Sequence, residues 1–151
     1  MGLLHKLKII PKISLTKFIY YNWLCSKVKR KGKGFIVPFR GSVIDMAAGA
    51  KIILEGDSHF MINAARPDGS HTEAFLIMRR NATLKIHHSA QLCYKATIEI
   101  HENAEVEIGS AYINSDAVIL AAKKIKLGDE CLISRMVFIY DADHHPIVNE
   151  Q

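Results

Sequence analysis

The feature that most constrains this chain is a ladder of short apolar pairs, each with one residue between its two members. The pairs are Ile52 and Leu54, Phe60 and Ile62, Leu76 and Met78, Leu84 and Ile86, Ile98 and Ile100, and Val106 and Ile108. Such alternation indicates short strands with one apolar face. Equivalent positions recur after six or eight residues, and the spacing settles to six at Leu127, Ile133 and Ile139. An internal repeat of this kind decides the fold before any other motif does.

Strands this short cannot build hairpins with a useful core, and a β-sandwich needs longer strands. A solenoid avoids this difficulty because each strand pairs with equivalent strands one coil above and one coil below. Small residues precede several pairs, at Ala50, Ala82, Ala96 and Ala104, and we expect them at corners of the coil. With three segments to a coil, the sequence predicts an all-β solenoid domain over residues 41–151.

One segment interrupts the ladder. Residues 63–74 (NAARPDGSHTEA) contain Pro67-Asp68-Gly69, which is a turn signature. We expect a loop that leaves one corner of the coil, either as a plain turn or as a loop that contacts substrate.

The positive charge of the chain is concentrated at its N-terminus. Ten of the 20 Lys and Arg residues lie in residues 1–44, whereas the first of the 15 acids is Asp45. The formal charge of +5 therefore belongs to the N-terminal segment, because residues 45–151 hold ten basic residues against 15 acids. A basic segment on an acidic domain usually meets an anionic surface, either membrane or nucleic acid.

Residues 1–40 are predicted to form an N-terminal basic helical segment. Ser14 is a candidate N-cap, and an amphipathic helix is expected from Leu15 to about Val28, followed by a basic turn over residues 27–34. One interpretation is a capping helix whose basic end is solvated. The other is docking on a membrane surface, with Tyr20, Tyr21 and Trp23 at the headgroups. No nucleic-acid recognition module is present, so nucleic acid is not an expected partner.

The cysteines favour a reducing compartment. Cys25, Cys93 and Cys131 lie far apart and form no CxxC pair, which does not suggest a disulfide framework. Cys131 is expected to be a packed thiol rather than a nucleophile, because no base lies beside it. The sequence also shows no convincing signal peptide and no apolar run long enough to span a bilayer.

The stretch Ile125–Ile147 joins the regular end of the ladder to a cluster of carboxylates and imidazoles. Leu127, Gly128 and Cys131 resemble the hexapeptide repeat, in which an aliphatic residue is followed by Gly and then by a small residue. The segment Asp141-Ala142-Asp143-His144-His145-Pro146 comes next. Together with the basic N-terminal helix, these features are similar to the hexapeptide-repeat acyltransferases. Within them the chain most resembles maltose and galactoside acetyltransferases and bacterial capsular, lipopolysaccharide and colanic-acid O-acetyltransferases.

The resemblance implies a left-handed parallel β-helix and a homotrimer with active sites between subunits. The hand comes from the resemblance alone, because crossovers between parallel strands are otherwise right-handed. It also implies acetyl-CoA as acyl donor and a sugar or lipid-linked saccharide as acceptor. The implied location is the cytoplasm, and the basic N-terminus adds peripheral contact with the inner face of the membrane.

The resemblance also assigns the site residues. The family's catalytic histidine precedes a proline, which makes His145 the implied general base, with His144 as the alternative base or as a sugar contact. Asp143 and Asp141 would orient the imidazole or bind acceptor hydroxyls; the alternative is that they are ordinary turn residues. A histidine suits this chemistry because its ordinary pKa lies near the working pH. No metal is expected.

Two alternatives stay open. Members of the family continue past the His-Pro with coils that build most of the coenzyme A groove, so the resemblance predicts a domain truncated at its C-terminal end. A non-catalytic β-solenoid that only assembles or binds is therefore the second class. A γ-class carbonic anhydrase is the third, but it needs three zinc histidines. His87, His88 and His101 lack that spacing. If the adjacent His87 and His88 lie on a strand, they point to opposite faces, so surface positions are expected rather than ligands of one site.

Overall fold

The computed structural model describes residues 12–142. Within that range the chain forms an all-β parallel solenoid of about five turns, with one short helix near its N-terminus. The arrangement is consistent with a left-handed β-helix. The fold class predicted from the repeat is therefore confirmed.

Each coil has three faces, and equivalent strands of successive coils pair in parallel. Face one contains β1 (Val28–Lys31), β4 (Lys51–Glu55), the first parts of β7 (Thr83–Cys93) and β9 (Glu105–Ile113), and β11 (Lys124–Leu127). Face two contains β2 (Phe35–Pro38), β5 (His59–Ala64), the second parts of β7 and β9, and β12 (Cys131–Ile133). Face three contains β3 (Ser42–Met46), β6 (Ala74–Met78), β8 (Thr97–Ile100), β10 (Val118–Ala121) and β13 (Phe138–Tyr140).

The first coil begins earlier than the sequence suggested. β1 pairs with β4 in register from Val28, so the boundary expected between residues 40 and 41 lies inside the first coil. β7 and β9 each run around the corner between faces one and two, and their mutual register shifts between Ile86 and Ser89. The faces are thus joined by bends of the strands as well as by turns.

The apolar ladder fills a continuous central column. On face three, for example, Leu76, Ile98 and Ile119 stack in register and have no exposed surface. Complete burial of one such aliphatic side chain contributes ~1.5–3 kcal/mol. Short strands are sufficient because the core grows along the solenoid axis, coil by coil, rather than along any one strand.

The predicted corner residues occupy tight bends of the backbone. Ala50, Ala82, Ala96 and Ala104 are at most 2 % exposed. The residue before each of them has a positive φ: Gly49 (73°), Asn81 (57°), Lys95 (61°) and Asn103 (61°). The backbone turns each corner through a residue in the left-handed region of φ/ψ space. The small side chain that follows then packs into the core.

Enlarging a corner residue should therefore destabilise the solenoid. We expect Ala82→Leu to lower the free energy of unfolding by about 1–3 kcal/mol, because extra methyl groups must be forced into a filled core. The measurement is denaturant unfolding. Ala48→Leu is the matched control, because Ala48 is exposed on the neighbouring coil. Equal stability of the two variants would contradict this account of the corners.

The N-terminal helix is shorter than expected. α1 (Leu15–Ile19) continues into a π-helical turn, Tyr20–Leu24, and the helix ends there. The expectation of a helix to about Val28 is wrong, because residues 28–31 pair with β4 as a strand. Ser14 does lie at the N-cap position, but its side chain makes no capping hydrogen bond.

Asn22 attaches this helix to the free edge of β2. Its Oδ1 accepts a hydrogen bond from the backbone N–H of Ile36 at 3.0 Å, and its Nδ2 donates to the Ile36 carbonyl at 2.7 Å. The side-chain amide replaces the strand that would otherwise pair there. This protects an edge that would leave polar groups unpaired and would attract other strands.

The edge of β3 is closed in the same way. Its edge carbonyl oxygens accept hydrogen bonds from Lys17 Nζ, from the Tyr21 hydroxyl at 3.2 Å and from Lys27 Nζ. Burial raises the pKa of Tyr21 to about 12, so the hydroxyl keeps its proton. The helix is therefore a cap, and Tyr21 belongs to its inner side rather than to a headgroup-facing side.

Loss of the Asn22 amide should weaken the cap. We expect Asn22→Ala to lower the free energy of unfolding by about 2 kcal/mol or more, because the buried N–H and C=O of Ile36 both lose their partner. Thermal and denaturant unfolding would measure the change. Ser26→Ala removes a nearby exposed hydroxyl and serves as control. An unchanged stability of Asn22→Ala would show that the edge does not need this side chain.

Candidate functional site

Asp141, one of the predicted site residues, lies at the corner that follows β13. Of the four predicted residues, Asp141 is described by the structure. Asp143, His144 and His145 lie outside the described residues, so their roles stay predictions. The site is therefore built from Asp141 and from the surfaces that surround this corner.

Asp141 is held by the backbone of the preceding coil. Its Oδ1 accepts a hydrogen bond from the N–H of Ala122 at 2.5 Å, and its Oδ2 accepts from Lys123 at 2.9 Å and Lys124 at 2.6 Å. Burial alone would raise the pKa of Asp141, but these backbone N–H groups outweigh it and hold the pKa below its ordinary value. The carboxylate is thus ionised at neutral pH and fixes the exit of the chain from face three.

Both Asp141 oxygens are engaged in this anchor. The observed role of Asp141 is therefore to attach the corner after β13 to the preceding coil. A direct contact between Asp141 and a substrate stays a prediction.

A shallow depression of about 570 Å³ lies beside this corner. Arg79, Glu99, His101 and Ala122 line it, and Arg79 and His101 directly follow strands of the two lower coils. Arg79 donates to Glu99 Oε1 from Nε at 3.1 Å and from Nη2 at 2.7 Å. The sequence analysis missed this pair. The signal that could have found it is the coil register, because Arg79 directly follows β6 and Glu99 is an outward residue of β8, which pairs with β6.

A second group of ionisable residues crosses the outer surface of face one. His87 Nδ1 lies 3.2 Å from Glu55 Oε2, and His87 Nε2 lies 2.9 Å from Glu107 Oε1. The pKa of Glu55 is lowered chiefly by a hydrogen bond from Lys31, and that of Glu107 by its hydrogen bond with His87. The strand register creates this row by placing successive coils side by side.

His87 and His88 both face outward. They line one groove of about 520 Å³ together with Asp129, although alternation along a strand predicted opposite faces. That expectation is wrong because the backbone bends between Ile86 and Ser89. His101 lies at a different corner, so the structure does not bring these three histidines together within one chain. Between residues 12 and 142, no group of three or more His, Cys, Asp or Glu side chains is arranged to hold a metal ion.

The loop of residues 63–74 covers a third surface. β5 ends at Ala64 and β6 begins at Ala74, so the loop leaves the corner between faces two and three, as predicted. Beneath it is a cavity of about 460 Å³ lined by Arg40, Asn63, Arg66 and Gln91, among others. A second cavity of about 400 Å³ shares Met61 and Gln91 with the first and continues along face two.

Asn63 is the buried polar residue of this region. Its side chain is nearly inaccessible, and its Nδ2 donates to the carbonyls of Arg40 at 2.6 Å and Thr72 at 3.1 Å. These bonds fix the base of the loop. Its Oδ1 has no hydrogen-bond partner in the part of the chain that the structure describes.

Cys131 is a packed thiol, as expected. It lies in register with Ala111 on face two and packs against the core. Its Sγ donates to the Gly128 carbonyl at 3.6 Å.

Comparisons of this chain with protein-family models, with curated proteins and with solved structures found no match. Among residues 12–142, no helix combines the length and the apolar content needed to cross a bilayer.

The Asp141 anchor leads to a prediction about stability and pH. We expect Asp141→Asn to lower the free energy of unfolding by about 2 kcal/mol at pH 7, because an ionised acceptor of three N–H groups is lost. A lowered folded-state pKa stabilises the fold above the unfolded pKa, and this contribution is lost as the pH falls through the folded value.

The difference between the wild type and Asp141→Asn should therefore shrink below about pH 4, the ordinary range of an aspartate. Denaturant unfolding at a series of pH values measures it. Asp57→Asn, at an exposed corner position, is the control. A difference that does not depend on pH would argue against the anchor.

Proposed function

We propose that this chain is a hexapeptide-repeat acyltransferase. It would move an acetyl group from acetyl-CoA to a sugar hydroxyl in bacterial surface polysaccharide biosynthesis, on the sugar itself or on a lipid-linked saccharide. The parallel solenoid supports this proposal because it is the fold that the resemblance implied. Fold alone does not specify chemistry, so the proposal depends on the site.

The observation that carries the proposal is the anchor of Asp141. Three backbone N–H groups fix Asp141, which precedes the His-His-Pro segment in the sequence. A general base must be held within hydrogen-bond reach of the proton that it takes. An anchored corner provides such positioning for the residues that follow it, and His145 lies four residues after Asp141.

The proposed reaction is direct transfer with His145 as general base. His145 takes the proton of the acceptor hydroxyl as its oxygen attacks the thioester carbonyl carbon of acetyl-CoA. The C–O bond of the new ester forms, the C–S bond breaks, and the proton passes to the leaving thiolate to give free coenzyme A. Acid–base help of this kind contributes about 10²–10⁴-fold to the rate. His144 and Asp143 are the proposed contacts to the sugar and to the imidazole.

The outer surface of face three supports association of the chain into the proposed homotrimer. Its outward residues are largely apolar, in contrast to the Lys and Glu residues of face one. They include Phe75 and Ile77 on β6, Val118 and Leu120 on β10, and Phe138 and Tyr140 on β13. The coil between β6 and β10 places Thr97 and Glu99 at the equivalent positions. Exposed apolar surface of this extent is typical of a protein interface. Association of subunits would also bring residues of two chains to one site.

The proposal is tested by supplying the purified full chain with acetyl-CoA and saccharide acceptors and by measuring thiol release. We expect His145→Ala to lower kcat about 10²–10⁴-fold, because the general base is lost. His144→Ala should have a smaller effect, mainly on the KM for the acceptor. His59→Ala removes an exposed imidazole on face two and is the matched control.

Each outcome separates the interpretations. Full activity of His145→Ala with loss of activity in His144→Ala would reverse their roles. No binding of coenzyme A by calorimetry, together with no thiol release, would favour a non-catalytic solenoid that only assembles or binds.

A further inference from the structure

The outer side of the N-terminal cap is an apolar surface. Asn22 and Tyr21 point into the solenoid, so the residues on the opposite side of the helix face away from it. These residues are Leu15, Ile19, Tyr20, Trp23 and Leu24, whose exposed fractions lie between 49 % and 69 %. Such a cluster differs from the scattered apolar residues that soluble surfaces normally carry.

A basic surface adjoins this apolar cluster. Lys29, Arg30 and Lys33 are exposed on and beside β1. The guanidinium of Arg30 lies 6.0 Å from the Trp23 ring, which joins the charged and the apolar parts. Lys31 is paired with Glu55 at 3.1 Å, so this lysine is partly neutralised.

We infer that the N-terminal end of the solenoid docks on a bilayer surface that contains anionic lipids. Trp23 and Tyr20 suit the headgroup region, because each combines an apolar ring with a polar tip. Leu15, Ile19 and Leu24 would enter the acyl boundary beside them. The basic residues would contact the anionic headgroups, each with a favourable electrostatic contribution.

Other occupants fit this surface less well. Two copies of the chain meeting through the same surface would bring two basic patches, each with Lys29, Arg30 and Lys33, into one interface, which is unfavourable. A nucleic acid would use the cations and the aromatic rings but would gain little from exposed Leu and Ile side chains. An anionic lipid surface would contact both the apolar cluster and the basic residues favourably.

The cap presents this surface in a fixed orientation. The inner side of the helix is hydrogen-bonded to the edges of β2 and β3, so docking does not have to order the helix first. The solenoid axis would then lead away from the bilayer. The Asp141 corner is four coil spacings from the first coil, which is roughly 19 Å at ~4.8 Å per coil.

Trp23 makes the inference directly testable because it is the one tryptophan of the chain. The full chain is mixed with phosphatidylcholine vesicles with and without phosphatidylglycerol. We expect a blue shift of Trp23 emission and co-sedimentation with the anionic vesicles. Lipids brominated near the headgroup should quench the emission. Binding should weaken with salt, because charges at a surface are screened over ~10 Å at 0.1 M ionic strength.

Two pairs of variants separate the contributions. Ile19→Ser with Leu24→Ser should remove the blue shift, and Lys29→Glu with Lys33→Glu, which tests the electrostatic contribution, should weaken binding to anionic vesicles tenfold or more. Leu132→Ser with Met136→Ser alters exposed apolar residues of the last coil and should bind as the wild type does. Lys51→Glu with Lys123→Glu is the charge control. Circular dichroism confirms that each variant keeps the fold.

The inference is overturned if the wild type neither shifts nor sediments at low salt. It is also overturned if the cap variants bind as tightly as their controls. The inference is also overturned if acrylamide does not quench Trp23 fluorescence in the absence of vesicles. Another part of the chain or a second copy would then already cover the surface. The test measures vesicle binding and does not use the activity assay. Its result is therefore independent of whether the proposed reaction is observed.

Discussion

The structure depends on backbone hydrogen bonds between successive coils. Along one corner of the solenoid, the N–H of Phe75 donates to Ala96 at 3.0 Å and the N–H of Thr97 donates to Ala117 at 2.9 Å. Each coil is thus completed by its neighbours, and within residues 12–142 the first coil has a neighbouring coil on one side. The helix supplies the missing partners with side chains, of which the Asn22 amide imitates a strand most closely. The inner side of this helix is used in contacts with the edges of β2 and β3. Its outer side is exposed and can contact another surface.

The three faces differ in the residues that they carry on their outer surfaces. Inward positions are restricted to apolar or small residues by packing, so chemical variety is confined to the outward positions, the corners and the loop. Face one uses its outward positions for a row of Lys, Glu and His, whose exposed ion pairs each contribute little to stability. Face three carries apolar side chains that suit contact with other subunits. Face two carries the elongated cavity beneath the loop of residues 63–74.

The two proposals place different activities at different ends of the solenoid. The surface that we propose to contact the membrane belongs to the first coil, whereas the Asp141 anchor belongs to the fifth. A lipid-linked saccharide would have its lipid in the bilayer and its sugar several coils away. The height of the solenoid would then decide which sugar units of such an acceptor reach the corner.

Much of the fold could be predicted from the sequence because its signals are local. The apolar alternation, the six-residue period, the small corner residues and the loop after Asn63 each depend on neighbouring residues alone. The helix was only partly predicted, because β1 takes residues 28–31 through pairing with a strand more than 20 residues later. For the candidate site, the sequence identified Asp141 but not its task, since its partners Ala122, Lys123 and Lys124 belong to another coil.

The sequence by itself therefore determined a solenoid with buried apolar pairs, tight small-residue corners and a basic N-terminal segment. The tertiary structure alone decided which outward side chains meet. His87 meets Glu55 and Glu107, and Arg79 meets Glu99, through the stacking of coils. It also decided that Tyr21 turns inward while Trp23 stays exposed. The physical reason is register: parallel stacking brings together residues about 20 to 30 positions apart, and no local pattern encodes that distance.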